Sequence, residues 1–271
     1  IWAFSFGLIK RHLVGLDSAL VATVRLGLAL LVFLPLVRLR GLRPTTAVAL
    51  LGIGALQFGL MYLTYIESFR HLRAYEAALF TLTTPILVTL LADALDRTLR
   101  LRALLAALLA VAGAGFVVFK STDLNVTLVG LGLVQLSNAA FAGGQVLYRR
   151  LMLGDPTLRD REVFGWLYAG GFALAFAIAL PRGVSISPSP AQLWVLLYLG
   201  VLASGVGFFL WNVGATRVSA GTLAAMNNVK IPLAVAVALL FFGESADLPR
   251  LVAAGAVMGA AVWLAEKRPA T

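Results

Sequence analysis

GALQFGLMYLTYIESFRHLRA (Gly54–Ala74) and GVLASGVGFFLWNVGATRVSA (Gly200–Ala220) are two stretches of one 271-residue chain. With a shift of 146 residues, Gly54 falls on Gly200, Gly59 on Gly205 and Ala74 on Ala220, while Tyr62 and Tyr65 fall on Phe208 and Trp211. Each stretch is followed by an apolar run with one internal proline, Pro85 and Pro232, at a shift of 147. The identities are few, but their register holds over two helix-length segments. A chain that repeats once at half its length is built from two similar units.

Composition says where those units sit. Hydrophobic residues make up 61% of the chain and charged residues 13%, with a mean hydropathy of +0.94. A soluble domain carries about 25% charged residues, so this chain could not cover a water-facing surface. It reads as an integral membrane protein. A membrane helix takes roughly 20 residues, and the apolar runs number ten: near 1–14, 18–37, 44–69, 74–92, 99–119, 127–147, 163–180, 191–215, 220–242 and 249–265. A β-barrel would show segments of about 10 residues with strict alternation, and these runs are longer and apolar on every side. The first helix, starting at Ile1, reads as truncated, without the charged start or cleavage site of a signal peptide.

Five helices per unit is an odd number, so the second unit enters the membrane inverted. The expected fold is therefore all-α, with ten transmembrane helices in two inverted five-helix repeats, residues 1–122 and 123–271, around a central cavity. Inverted repeats that meet near the midplane form a transporter architecture. With the N-terminus inside, the inner loops carry 13 Lys and Arg and the outer loops 7. The positive-inside rule then places both termini in the cytoplasm. The net charge of +10 is accounted for by these loops, without nucleic acid.

Two basic residues, Arg25 and Lys230, are left inside helices. In LAAMNNVKIPLAV (Leu223–Val235), Lys230 is near the helix centre, ~15 Å from either end. A charge at that depth costs roughly 2.5–3.5 kcal/mol on insertion scales. It either faces a substrate cavity or bonds carbonyls freed by Pro232. Asn227 shares its face at i,i+3, and Asn228 can face a neighbouring helix. Their amides suit a substrate with both donors and acceptors, or equally an interhelical bond. Arg25, about two turns into the second helix, has the same two readings. Trp2, Gln57, Tyr62, Tyr65 and Trp166 are the further candidates for the cavity wall. Pro85, Pro232, Gly255 and Gly259 are the candidates for gating or close packing, the last two as GxxxG.

Absences narrow the function. No carboxylate or histidine is placed at mid-membrane, so a proton relay is not visible. There is no HExxH, GxSxG or Walker loop, and no cysteine. Neither an enzyme, a metal nor a cofactor is expected.

SAGTLAAMNNVKIPLAVAVALLFFGES (Ser219–Ser245) and LVAAGAVMGAAVWLAEKR (Leu251–Arg268) resemble the EamA-like transporters of the drug/metabolite transporter superfamily. Pro232, Gly243, Glu244, Gly255 and Gly259 fit the family's pattern, as do Trp2, Lys10, Arg25, Ala74 and Pro85 in the first half. The Gly-Glu pair is replaced in the first half by Asp96-Arg97. MNNVKIPLAV is most similar to the aromatic amino-acid exporter branch. The resemblance implies a bacterial inner-membrane transporter exporting aromatic or apolar amino acids by alternating access. A monomer in contact with lipid and no nucleic acid is expected, since one bundle can contain the whole pathway. The alternatives are an exchanger or exporter of another small metabolite or drug, or a membrane scaffold that transports nothing.

Overall fold

The structure is a computed structural model describing residues 1–38, 41–97, 101, 105, 108–109, 112, 124–183, 188–217, 233–244 and 247–266, with side chains for all but 124–127, 250–251, 262 and 265–266. Lys230, Asn227, Asn228 and Pro232 lie outside the described residues, as does most of the fifth expected helix.

The described residues form helices and no strand. Helix α1 (Trp2–Leu8) continues as a π turn, Ile9–Leu13. Five spans are long and apolar enough to cross a bilayer: α2 (Ser18–Leu36), α3 (Pro44–Ser68), α4 (Ala74–Leu95), α6 (Asp160–Arg182) and α7 (Pro190–Arg217). Between them α5 runs for 31 residues, Leu124–Gly154. Helices α8, over 233–241, and α9 (Leu248–Glu266) complete the described chain. The protein is a multi-pass membrane protein.

Local sequence fixes the helix starts. Asp17 caps α2 by accepting from the Leu20 amide at 3.0 Å, and Ser189 caps α7 in a reciprocal box with Gln192. Pro44 and Pro190 stand in first turns, where no amide donor is needed. Pro85 stands inside a span instead. The chain there tightens into a 3₁₀ turn, Thr81–Thr83, before α-helix resumes at Thr84, as expected where proline removes a donor.

Packing is led by α2 against α6 and α7, by α3 against α6 and α5, and by α4 against α5. Two glycines permit the closest of these approaches. A methyl at Gly54 would sit 1.9 Å from the Leu167 carbonyl oxygen, and one at Gly170 would sit 2.0 Å from that of Leu51. The backbones of α3 and α6 therefore touch, as small residues allow in membranes. The GxxxG pair behaves otherwise. Among the described residues no atom lies within 4 Å of a methyl added at Gly255 or Gly259. The packed face of α9 is Ala254, Met258 and Ala261, all fully buried.

Polar links join helices at both ends of the bundle. At the end bearing residues 14–17, Arg182 pairs with Asp17 at 2.8 Å and Arg70 donates to the Leu16 carbonyl. Lys10 donates to the Phe69 carbonyl at 2.6 Å. The Glu244 carboxylate accepts from the Ala74 and Tyr75 amides, capping α4. At the opposite end Arg38 pairs with Glu162 at 3.8 Å and Arg150 pairs with Asp96.

Candidate functional site

A cavity of about 80 Å³ lies among α1, α2, α3, α4, α5 and α7. A single water needs ~10–15 Å³, so the space holds several waters or part of a small molecule. Each helix contributes one face. Trp2, Ser5 and Phe6 come from α1, Met61, Tyr62 and Tyr65 from α3, and Ser137, Asn138 and Phe141 from α5. The first is an i,i+3,i+4 set and the other two are i,i+1,i+4 sets, and in each the members three or four residues apart share one side of the helix. Helix α4 adds Thr81 and Thr84, α2 adds Arg25 and α7 adds Phe208.

Arg25 dominates the electrostatics. It is eighth in its span, ~10 Å from the nearer end, and only 2% exposed. Its Nε and Nη2 donate to the Ser204 hydroxyl at 3.3 and 3.2 Å, and Nη2 also donates to the Tyr62 hydroxyl at 3.0 Å. The two hydroxyls bond each other at 2.7 Å. The guanidinium carbon stands 4.1 Å from the centre of the Tyr62 ring, a cation–π contact. No described carboxylate pairs with the charge, and Nη1 is buried with no hydrogen-bond partner among the described residues. A guanidinium keeps its charge, and burying an unpaired one in a membrane is costly. The arrangement suits an arriving anion.

The π segment Tyr198–Gly207 within α7 explains how Ser204 is presented. Wider turns leave carbonyls without their usual helical partners, and side chains take them up. Trp2 Nε1 donates to the Ala203 carbonyl at 3.0 Å, and the Tyr168 hydroxyl reaches the carbonyls of Ser204 and Gly205. A similar exchange occurs at the Pro85 break. The Thr84 amide turns to the Thr81 carbonyl, and the Phe80 carbonyl is met by the side-chain amides of Asn138 and Gln135 at 3.0 and 3.3 Å. Both breaks are thus held by side chains from other helices.

The structure sorts the expected residues. Arg25, Tyr62, Tyr65 and Trp2 come together on the cavity. Trp2 packs on Phe208 and Trp211, with centroids 5.0 and 5.5 Å apart. Gln57 does not reach the cavity wall. Fully buried, it donates to Asn212 at 3.0 Å and ties α3 to α7. Trp166 does not reach it either, because its indole donates to the Arg38 carbonyl near the loop beyond α2. Ser5, Ser137 and Phe141 are lining residues that the sequence reading missed. Phe208 was already marked by the 146-residue shift, which lays it on Tyr62, and the two rings meet at 6.1 Å.

Comparison with known proteins adds the family. The sequence pattern of the EamA-like transporter family matches residues 1–119 and 128–265. A probable biotin transporter of Pseudomonas aeruginosa is 43% identical over 97% of this chain and 93% of its own length. Biotin transporters of Salmonella typhimurium and Escherichia coli are each 40% identical, over 98% of this chain and 90% of theirs. A crystal structure of another protein, 18% identical, superposes with a TM-score of 0.67, covering 97% of this chain and 94% of that one. It shares the fold. These relatives correct one expectation: they give no support to the aromatic amino-acid exporter branch or to amino-acid export.

Proposed function

The chain belongs to the EamA-like transporter family, and from that premise we propose that it carries biotin, or a close relative of biotin, across the bacterial inner membrane by alternating access. The observation that carries this reading is the likeness of 40–43% identity to biotin transporters along nearly the whole of both chains. The cavity's chemistry fits. Biotin joins an apolar carbon tail and a thioether ring to two polar ends, a carboxylate and a cyclic urea. The described wall offers aromatic and methionine surface, hydroxyls and one buried cation, a composition usual for small-molecule sites.

Lys230, Asn227 and Asn228 belong to this proposal as the group that meets the urea. Its carbonyl accepts and its two N–H groups donate, and an ammonium with two amides supplies both complements. The described lining holds no carboxylate or imidazole, and facilitated movement down a gradient is the coupling we propose.

We further propose two inverted five-helix repeats, 1–122 and 123–271, with both termini cytoplasmic. The two family-matched stretches divide the chain at the same place. The π turn Ala55–Leu60 of α3, moved by 146 residues, falls at 201–206, inside the π segment of α7. Uptake of labelled biotin by a biotin-requiring bacterium that lacks its own transporter tests the function. Expression of this chain should restore uptake at nanomolar biotin, and uptake no higher than with empty vector would refute the assignment.

A further inference from the structure

We propose that Arg25 is the anchor for the substrate's carboxylate, and that the site selects monoanions over neutral analogues of the same shape. This rests on the reading of the cavity as the transport site. Three sides of the guanidinium are occupied: Nε and Nη2 by Ser204 and Tyr62, and one face by the Tyr62 ring. The remaining nitrogen, Nη1, is buried and has no partner among the described residues. Ser5, a second wall residue, presents a buried hydroxyl that also lacks a described partner. Two donors from wall residues of one small cavity, one of them fully charged and neither met among the described residues, are the complement of a carboxylate oxygen. A charge-assisted bond of this kind is short and strong.

In the described lining the cation is Arg25, and Lys230 is assigned to the neutral urea. A monocarboxylate balances Arg25 alone. Because Arg25 comes from α2, Tyr62 from α3 and Ser204 from α7, the anion site also draws on three helices at once.

The test is binding to the purified protein in detergent, read as thermal stabilisation, for biotin against biotin amide and heptanoate against heptanamide. Wild type should bind each acid at least ten-fold more tightly than its amide. Arg25→Met should lower that preference to two-fold or less while still binding the amides, and Arg25→Lys should keep part of it. Equal binding of acid and amide by wild type overturns the proposal, and needs no variant to fold. An unchanged preference in Arg25→Met, or loss of the amides together with the acids, also overturns it. If wild type ignores biotin yet prefers heptanoate to heptanamide through Arg25, the anion site stands and the biotin reading falls.

Discussion

Arg25 shows how much a single residue's surroundings decide. In the sequence it and Lys230 are two basic residues inside apolar helices, each with a functional and a structural reading. Periodicity cannot separate these, because a buried cation looks the same in sequence whether it meets a carboxylate of the protein or of a ligand. Only the partners do so: two hydroxyls, one ring face and one nitrogen unmet among the described residues. The Tyr62 hydroxyl accepts from the charged Arg25, a bond worth ~1.5–3 kcal/mol. Tyr62→Phe keeps the ring but removes that bond, and should therefore weaken biotin binding by about 10–100-fold and leave the fold intact, as measured by titration in detergent. Trp166→Phe should leave affinity within two-fold of wild type, since its indole serves the Arg38 carbonyl and not the cavity.

At the scale of helices, the sequence gives period and depth more readily than facing. The spans were legible because each is a long apolar run broken by charge or proline. The faces of α1, α3 and α5 follow from pairs three or four residues apart once a cavity is assumed, and Ser5 was readable from its spacing to Trp2. Glycine was less legible. GxxxG at Gly255 and Gly259 has the pattern of a packing motif, yet the tightest described contacts form at Gly54 and Gly170, where two backbones touch. A methyl at either of those must push α3 from α6. Overpacking costs ~1–3 kcal/mol in cores, so Gly54→Ala and Gly170→Ala should each lower the thermal midpoint by several degrees. Gly255→Ala should shift it by less than about a degree.

Across the whole molecule, the proposed two-unit plan rests on one register of 146 residues, and Pro85 marks where α4 breaks. The polar links at the ends were not legible, because each joins residues far apart in sequence. The Asp17–Arg182 pair is one of them. Alternating access requires such an end to open. With no native cysteine, Asp17→Cys with Arg182→Cys can be joined by a reducible thiol cross-linker of ~10 Å. Joining them should stop transport, and reduction should restore it.

The same pair should be insensitive to pH near neutrality. Burial alone would raise the Asp17 carboxyl pKa, but the hydrogen bond from Arg182 and the amides of Leu20 and Ala19 outweigh it and hold the pKa below its usual 3.8. A lowered folded-state pKa stabilises above the unfolded value and loses that contribution as pH falls through the folded one. The thermal midpoints of wild type and Asp17→Asn should then differ constantly from pH 5 to 8 and converge only below about pH 4. The most direct test of the central claim is counterflow. Liposomes holding the purified protein and loaded with unlabelled biotin should accumulate external labelled biotin transiently above equilibrium, and loading with biotin amide should not produce this. Accumulation no greater than in protein-free liposomes would contradict the account.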